Sequence, residues 1–165
     1  MTMIGTRSAR ELVRMLSGGA GVGFSIAELA AKEGVEFSDI GDGQILNRNI
    51  AAELLEKAEP VQYPALYVYC DKITNSLKEK FRTFSGTAAL AIEVRASHER
   101  LDELEQRIQL YTDAVTDVLS RNRGDWSPGI FYPGGYEVQF GAVKQGGKRF
   151  LQIAKVRLEV NISVD

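Results

Sequence analysis

Residues 136–164, YEVQFGAVKQGGKRFLQIAKVRLEVNISV, carry the most regular pattern in the chain. Apolar and polar residues alternate in both halves, which is typical of a β-strand with one buried and one exposed face. Between the halves, the pair Gly146-Gly147 supplies the positive φ angles that a two-residue hairpin turn requires. The stretch therefore predicts two antiparallel strands joined by a tight turn. The apolar positions of the second strand are Phe150, Ala154, Val156, Leu158, Val160 and Ile162.

The second of these strands is unusually long. About 14 residues at roughly 3.3 Å each span about 45 Å, whereas an ordinary strand has about 5–6 residues. Such a strand would extend beyond the body of a small domain, and its ends would need cover. Two interpretations stay open: another subunit covers the ends, or the strand bends around its own core.

Length and composition exclude several classes of protein. The 165 residues suffice for one domain, or one domain with an appendage. A formal charge of −2 argues against a protein dominated by binding to nucleic acid or to an acidic membrane surface. We expect no membrane association, because the chain lacks an apolar run of about 18 residues and its first residues lack the order of a signal peptide. The single cysteine, Cys70, excludes an internal disulfide and fits a reducing compartment.

Residues 1–60 predict a helical, loop-rich extension. Ser8 with Glu11 and Ser25 with Glu28 have the spacing of capping boxes, which predicts helices from Ser8 to Leu16 and from Ser25 to Lys32. The glycine-rich residues 17–23 separate them, and Gly34 fits the end of the second. Residues 35–44 predict turns. A third helix is predicted from Ile45 to Glu59, ended by Pro60, where we place a domain boundary.

Residues 61–165 predict a two-layer α+β domain. A strand over residues 63–70, a second over 87–97, one amphipathic helix over 98–121 and the C-terminal hairpin follow in order, and residues 122–135 predict a loop. One apolar helix stripe on one apolar sheet face gives an antiparallel, or mixed, four-stranded sheet covered by one long helix.

The residues that could carry catalysis are few. His98 is the one histidine, and its position favours a helix-entry role. The position of Cys70 favours a buried thiol. Neither has the neighbours of a nucleophile–base pair, and one histidine with one cysteine makes a metal site improbable. We therefore expect no enzyme activity, no cofactor and no metal; an enzyme centred on His98 or Cys70 is the least favoured alternative.

Two further segments are candidates for contact. The segment 71–84 is basic and includes Phe81 and Phe84, which favours a loop that is solvated or touches another subunit, with a loop facing a DNA-conducting channel as the alternative. Its basic residues are Lys72, Lys78, Lys80 and Arg82. The aromatic residues Trp126, Phe131, Tyr132 and Tyr136 cluster in residues 122–136, as a lid on the core or as an interaction patch.

The order of elements from residue 61 onward resembles the tail-terminator and neck (head–tail joining) proteins of tailed bacteriophages. The resemblance lies in the order and spacing of several short segments and does not cover residues 1–60. The segments are Pro64-Ala65-Leu66-Tyr67-Val68, Phe84-Ser85-Gly86-Thr87, Ser97-His98, Tyr111-Thr112-Asp113-Ala114-Val115, the Trp/Gly/Pro loop, Phe140-Gly141 and Gly146-Gly147.

The resemblance implies a structural virion protein, made in the host cytoplasm, whose copies close into a ring, usually a hexamer. Such a ring ends the tail tube and joins it to the head, so its partners would be the tail tube protein and a head-side connector or adaptor. DNA would pass through without sequence-specific binding. We expect the subunit or partner interface at Lys144, Gln145, Gly146, Gly147, Lys148, Arg149, Trp126 and Tyr132. The alternative within phages is another connector or minor tail component, such as a head-completion adaptor.

Overall fold

The computed structural model describes residues 3–58 and 60–165, apart from the side chain of Ala58. Within these residues the chain forms four α-helices, one short 3-10 helix at Asp42–Gln44 and eight strands. The helices are α1 (Ile4–Leu16), α2 (Val22–Glu33), α3 (Ala52–Ala58) and α4 (Leu101–Arg121). The strands are β1 (Ile45–Leu46), β2 (Ala65–Asn75), β3 (Phe84–His98), β4 (Gly124–Ser127), β5 (Ile130–Tyr132), β6 (Tyr136–Phe140), β7 (Lys144–Gly146) and β8 (Arg149–Val164).

All eight strands join one mixed sheet that curls into a half-barrel. Its order is β1-β2-β3-β8-β5-β4, and β6 and β7 also pair with β8. Strand β1 runs parallel to β2, and the other pairs are antiparallel. The longest ladder joins β3 to β8 without interruption, from Phe84 opposite Val164 to His98 opposite Phe150.

The prediction of a four-stranded sheet with one long helix is therefore wrong, although the class α+β is right. Most of the difference comes from three strands of two to four residues that the sequence analysis did not predict: β1, β4 and β5. A strand so short shows no clear alternation, and its pairing with a longer neighbour holds it in place. The predicted hairpin is also modified, because its first strand is divided into β6 and β7 at residues 141–143.

The long last strand finds its cover within the chain. Along one side β8 pairs with β3, and along the other it pairs in turn with β7, β6 and β5. Of the two interpretations left open by the sequence, the structure favours cover from within the chain, because both edges of β8 pair with strands of its own sheet. The length of β8 is thus no argument for a second subunit.

The helix boundaries of the first 60 residues differ from the predictions. Ser8 and Ser25 lie inside α1 and α2 instead of capping them: the Ser8 hydroxyl donates to the Ile4 carbonyl at 2.8 Å, and that of Ser25 to Asp117 Oδ2 at 2.6 Å. The predicted third helix is wrong at its start, where residues 45–46 form β1; its predicted end at Glu59 lies outside the described residues. The prediction at Gly34 is confirmed, since it ends α2 with φ +69°.

One core lies between the sheet and helices α1, α2 and α4. Leu12 and Ile26 from the N-terminal helices share it with Leu90, Val115 and Val156 from the rest of the chain. Residues on both sides of position 60 therefore contribute to the same core. The division into an extension (1–60) and a ring-forming domain (61–165) stays a prediction about which part folds independently.

The opposite sheet face is partly covered by the segment around α3. Arg95, 1% exposed, points from β3 into this layer, where its Nη2 donates to Glu93 Oε1 at 2.9 Å and to the Ile50 carbonyl. Its guanidinium lies 3.9 Å from the ring centre of Tyr67. Arg95 thus fastens the segment before α3 to the sheet.

Candidate subunit interface

The β7–β8 turn, predicted as an interface, is tied to its own chain. Lys144 Nζ lies 2.7 Å from Glu53 Oε1 of α3, and Arg149 contacts Ser97 and lies 3.7 Å from Glu99. The Lys144 ammonium holds the pKa of the Glu53 carboxyl below its usual value. These contacts occupy the two charged side chains that flank the turn. Gln145 and Lys148 are exposed.

The tight turn itself consists of Gly147 and Lys148, because Gly146 already pairs with Arg149 in the ladder. Gly147 adopts φ +63°, whereas Gly146 does not have a positive φ. The sequence prediction of a turn here is confirmed, with its position shifted by one residue. The role of residues 144–149 in an interface stays a prediction.

The aromatic residues of the β4–β5 hairpin are mostly buried. Trp126 is 6% exposed and Tyr132 is 0% exposed, with their ring centres 5.3 Å apart. The indole N–H of Trp126 donates to the Asn122 carbonyl at 2.7 Å, and the Tyr132 hydroxyl donates to the Gly135 carbonyl at 3.1 Å. Burial raises the pKa of Tyr132 to about 12. Both rings belong to the core. The exposed Phe131 lies next to Tyr132 in β5, which pairs with β4 and β8. The role of Trp126 and Tyr132 in an interface stays a prediction.

Among the described residues, the most exposed large apolar side chain is that of Phe81. It lies between β2 and β3, in residues 76–83, which we call the tip loop. Phe81 is 99% exposed and Leu77 is 63% exposed. Both have positive φ angles, +67° and +49°, which cost a non-glycine residue roughly 1–3 kcal/mol. Hydrogen bonds hold this shape: Asn75 Oδ1 accepts from the Leu77 amide at 3.3 Å, and Ser85 Oγ accepts from the Glu79 amide at 2.9 Å.

The charges of the tip loop are positive on balance. Arg82 is neutralised by Asp165 at 2.6 Å and Glu79 at 3.4 Å. Lys78 and Lys80 make no ion pair within the part of the chain that the structure describes. Lys72, predicted in the same loop, instead belongs to β2, opposite Ala89 and next to a bulge. Strand β2 therefore extends to Asn75, well into the predicted loop.

A second exposed surface is a groove between α2 and α4, which we call the acidic groove. It has a volume of about 530 Å³. Its apolar side chains are Leu29, Val35, Phe37 and Leu110, and its polar ones are Glu33, Asp102, Glu105, Gln106, Gln109 and Asp113. Among the described residues that line it there are four carboxylates and neither lysine nor arginine.

The groove is firmly built. The Phe37 ring packs edge-on against Tyr111, with the two ring centres 6.1 Å apart, and the Arg107 guanidinium lies 5.6 Å from the Phe37 ring centre. The Tyr111 hydroxyl donates to the Ser38 carbonyl at 2.9 Å, which fixes the segment after α2. Burial raises the pKa of Asp113, as expected for a carboxyl beside apolar side chains.

Sequence reasoning did not identify the acidic groove. Its walls come from residues 29–37 and from the first half of α4, segments that meet only in the folded chain. The one local signal was the acidic first turn of α4, with Asp102 and Glu103, next to the apolar Leu110 outside the main stripe.

His98 and Cys70 do not come together. Cys70 lies opposite Leu90 in β3, and His98 lies eight residues further along that strand, roughly 26 Å away at the rise of a β-strand. His98 is the last residue of β3 instead of a helix entry, and its Nδ1 accepts a hydrogen bond from the Arg100 amide at 3.0 Å. Burial raises the pKa of the Cys70 thiol.

No group of three His, Cys, Asp or Glu side chains among the described residues is placed to hold a metal ion. None of the helices formed by residues 3–58 and 60–165 combines the length and apolar character needed to cross a membrane.

Comparison with solved structures gives a distant likeness. No protein-family model matches the chain, and no curated protein matches it. A solved structure described as the virion of a native gene transfer agent (GTA) particle contains a chain of similar structure, with a TM-score of 0.47 and 14% sequence identity. The alignment covers 96% of this chain and 95% of that chain. A likeness at this level assigns neither a family nor a function.

Proposed function

We propose that this chain is a structural protein of a phage-type virion and forms a ring at the neck, where the ring ends the tail tube and joins it to the head. The resemblance of residues 61–165 to tail-terminator and neck proteins supports this role. The proposed partners are further copies of the chain, the tail tube protein and a head-side connector. DNA passes through the ring, which is proposed to be a hexamer.

The observation that carries the proposal is the exposure of apolar side chains on the tip loop. Phe81 and Leu77 lie in the loop that joins β2 to β3 at one end of the sheet, and they are 99% and 63% exposed. Exposed apolar side chains rimmed by polar ones mark contact surfaces. A subunit that presents such a loop has a surface expected of a component that assembles.

The test is the mass of the purified full-length chain, alone and with tail tubes, by native mass spectrometry and negative-stain microscopy. We expect a closed particle of fixed copy number. A chain that stays monomeric at high concentration and leaves tail tubes undecorated contradicts the proposal. Labelled protein that maps to the portal side of the head would instead identify a head-completion adaptor.

A further inference from the structure

Two exposed surfaces of this chain have complementary chemistry. The tip loop presents the apolar side chains of Phe81 and Leu77 beside the ammonium groups of Lys78 and Lys80. The acidic groove presents an apolar floor and four carboxylates. An apolar anchor flanked by positive charge fits an apolar groove rimmed by negative charge, because both the burial and the charge pairing favour contact.

The two surfaces lie at opposite ends of the subunit and cannot meet within one chain. The tip loop precedes Phe84, the first residue of β3, whereas α4 begins three residues after His98, the last. Strand β3 has 15 residues, so its ends are roughly 46 Å apart. Helix α4 then runs back along the sheet, and its first half lines the groove. This leaves a separation on the order of 30 Å.

We propose that the tip loop of one copy docks in the acidic groove of a second copy, with Phe81 as the anchor. The inference rests on the ring assembly proposed above and names its contact. Because the two surfaces differ, the contact is head-to-tail, and repeated head-to-tail contacts close into a ring when the rotation between copies permits. The charges at the contact are Lys78 and Lys80 on one side, with Arg82 already paired, and Glu33, Asp102, Glu105 and Asp113 on the other.

The groove suits this occupant for a further reason. Its floor residue Val35 is 39% exposed although it is apolar. A docked Phe81 side chain would therefore remove apolar surface from water on both sides of the contact. Asp102 already pairs with Arg100 at 2.7 Å, whereas Glu105 makes no ion pair among the described residues. Glu33 and Asp113 make none there either, and of these three carboxylates we take Glu105 as the partner of the tip-loop lysines.

The first experiment removes the anchor. Phe81→Asp in the full-length chain should weaken association by roughly ten- to a hundred-fold, measured by light scattering over a concentration series. At a concentration where the subunit is monomeric its melting temperature should not fall, because Phe81 is 99% exposed and packs on nothing in its own subunit. The matched control is Leu54→Asp, which places the same charge at a side chain that is 60% exposed on α3; this variant should assemble normally.

The second experiment reverses charges. Lys80→Glu alone and Glu105→Lys alone should each reduce assembly, and the double variant should recover it, because each interface then carries the swapped pair. Lys57→Glu, an equal change of charge at an exposed position of α3, serves as the control and should have no effect. The contact is contradicted if the double variant loses as much assembly as the two single variants lose together.

The third experiment identifies the occupant directly. Oxidation of a mixture of one chain carrying Phe81→Cys and one carrying Val35→Cys should give a covalent dimer, and a chain carrying both should give a ladder of cross-linked species. The wild-type chain, with only the half-buried Cys70, should give neither. Dimers from the Phe81→Cys chain alone, with none formed through Val35, would show tip-to-tip contact and overturn the inference.

The outcomes separate this inference from the proposed function. If the wild-type chain and Phe81→Asp both assemble, the docking is wrong and the ring proposal stands. If the wild-type chain does not assemble alone or on tail tubes, both are wrong. If Lys80→Glu assembles normally but particles containing it retain DNA poorly, the tip loop faces the channel and the docking is overturned.

Discussion

The two ends of β3 differ in how completely the rest of the chain buries and pairs the side chains near them. At the His98 end, the β7–β8 turn is joined to α3 through Lys144 and Glu53, and Arg95 fastens the segment before α3 to the sheet. At the Phe84 end, the tip loop leaves Phe81 and Leu77 in solvent. The difference shows that the length of a strand is a poor indicator of a subunit interface. Exposed apolar side chains are a better indicator, and in this molecule they favour the tip loop over the β7–β8 turn.

The largest effect on stability is expected at the His98 end of β3, when Arg95 is replaced. Arg95→Ala should lower the free energy of unfolding by about 3–5 kcal/mol, as for breaking a buried ion pair. It leaves the Ile50 carbonyl without its donor and Glu93 without its cation, with only the Tyr69 hydroxyl still donating to that carboxylate. The double variant Glu93→Gln/Arg95→Met should lose less, since no buried charge is left behind. Urea unfolding of the three chains measures this. Equal losses in both variants would mean that the charge left on Glu93 costs nothing, and that the loss comes from what both variants lack, the hydrogen bond to the Ile50 carbonyl and the guanidinium contact with Tyr67.

The next effect concerns the β7–β8 turn. Gly147→Val should cost about 1–3 kcal/mol, because a β-branched residue is strained at φ +63°. Gly146→Val is the matched control and should cost less, since its φ is not positive and a Cβ there meets only Glu56 Oε2 at 4.0 Å. Thermal unfolding gives the stability, and light scattering gives the assembly. Assembly that survives Gly147→Val unchanged would exclude residues 144–149 as the interface.

At the tip loop we expect a substitution to raise the stability of the subunit instead of lowering it. Phe81→Gly should stabilise the isolated subunit by about 0.5–1 kcal/mol, because glycine adopts φ +67° without strain and the ring makes no contacts to lose. Phe81→Ala, which removes the ring and keeps the Cβ, should leave subunit stability unchanged. Both should impair assembly to the same degree. The measurement is the melting temperature at a concentration where the subunit is monomeric.

The sequence predicted the long periodic elements well and the short ones poorly. Strands β3 and β8 and helix α4 each carry enough residues for their period to show, so their existence and buried faces could be read directly. Strands such as β5 have three residues and exist because β8 lies beside them. The capping predictions failed for a related reason: Ser8 and Ser25 have the residue type of a cap, but a serine inside a helix can instead bond the carbonyl four residues back or a partner on another helix.

The candidate contact surfaces follow the same rule. That residues 76–83 are exposed and basic was visible in the sequence, as was the turn at Gly147. The burial of Trp126 and Tyr132 was not, because an aromatic residue in a glycine- and proline-rich segment fits a surface patch and a core lid equally well. The acidic groove depends on α2 packing against α4, and no local pattern reports that contact.

The smallest effect concerns two carboxylates of the acidic groove whose pKa values are shifted in opposite directions. Burial raises the pKa of Asp113 above its usual 3.8, so its contribution to stability is full when it is protonated and is lost as the pH rises through the folded pKa. Asp113→Asn should therefore stabilise the subunit near pH 7, by less than about 0.5 kcal/mol because solvent screens an exposed group, and the gain should vanish below about pH 4. Arg100 lowers the pKa of Asp102, so that contribution is present at neutral pH and is lost as the pH falls. Asp102→Asn should destabilise near pH 7 and not in acid. The free energy of unfolding of both variants, measured from pH 3 to pH 7, tests these two predictions. If the two variants change in stability in the same direction as the pH falls, the two carboxylates share one environment. The groove would then lack the apolar surroundings that raise the pKa of Asp113.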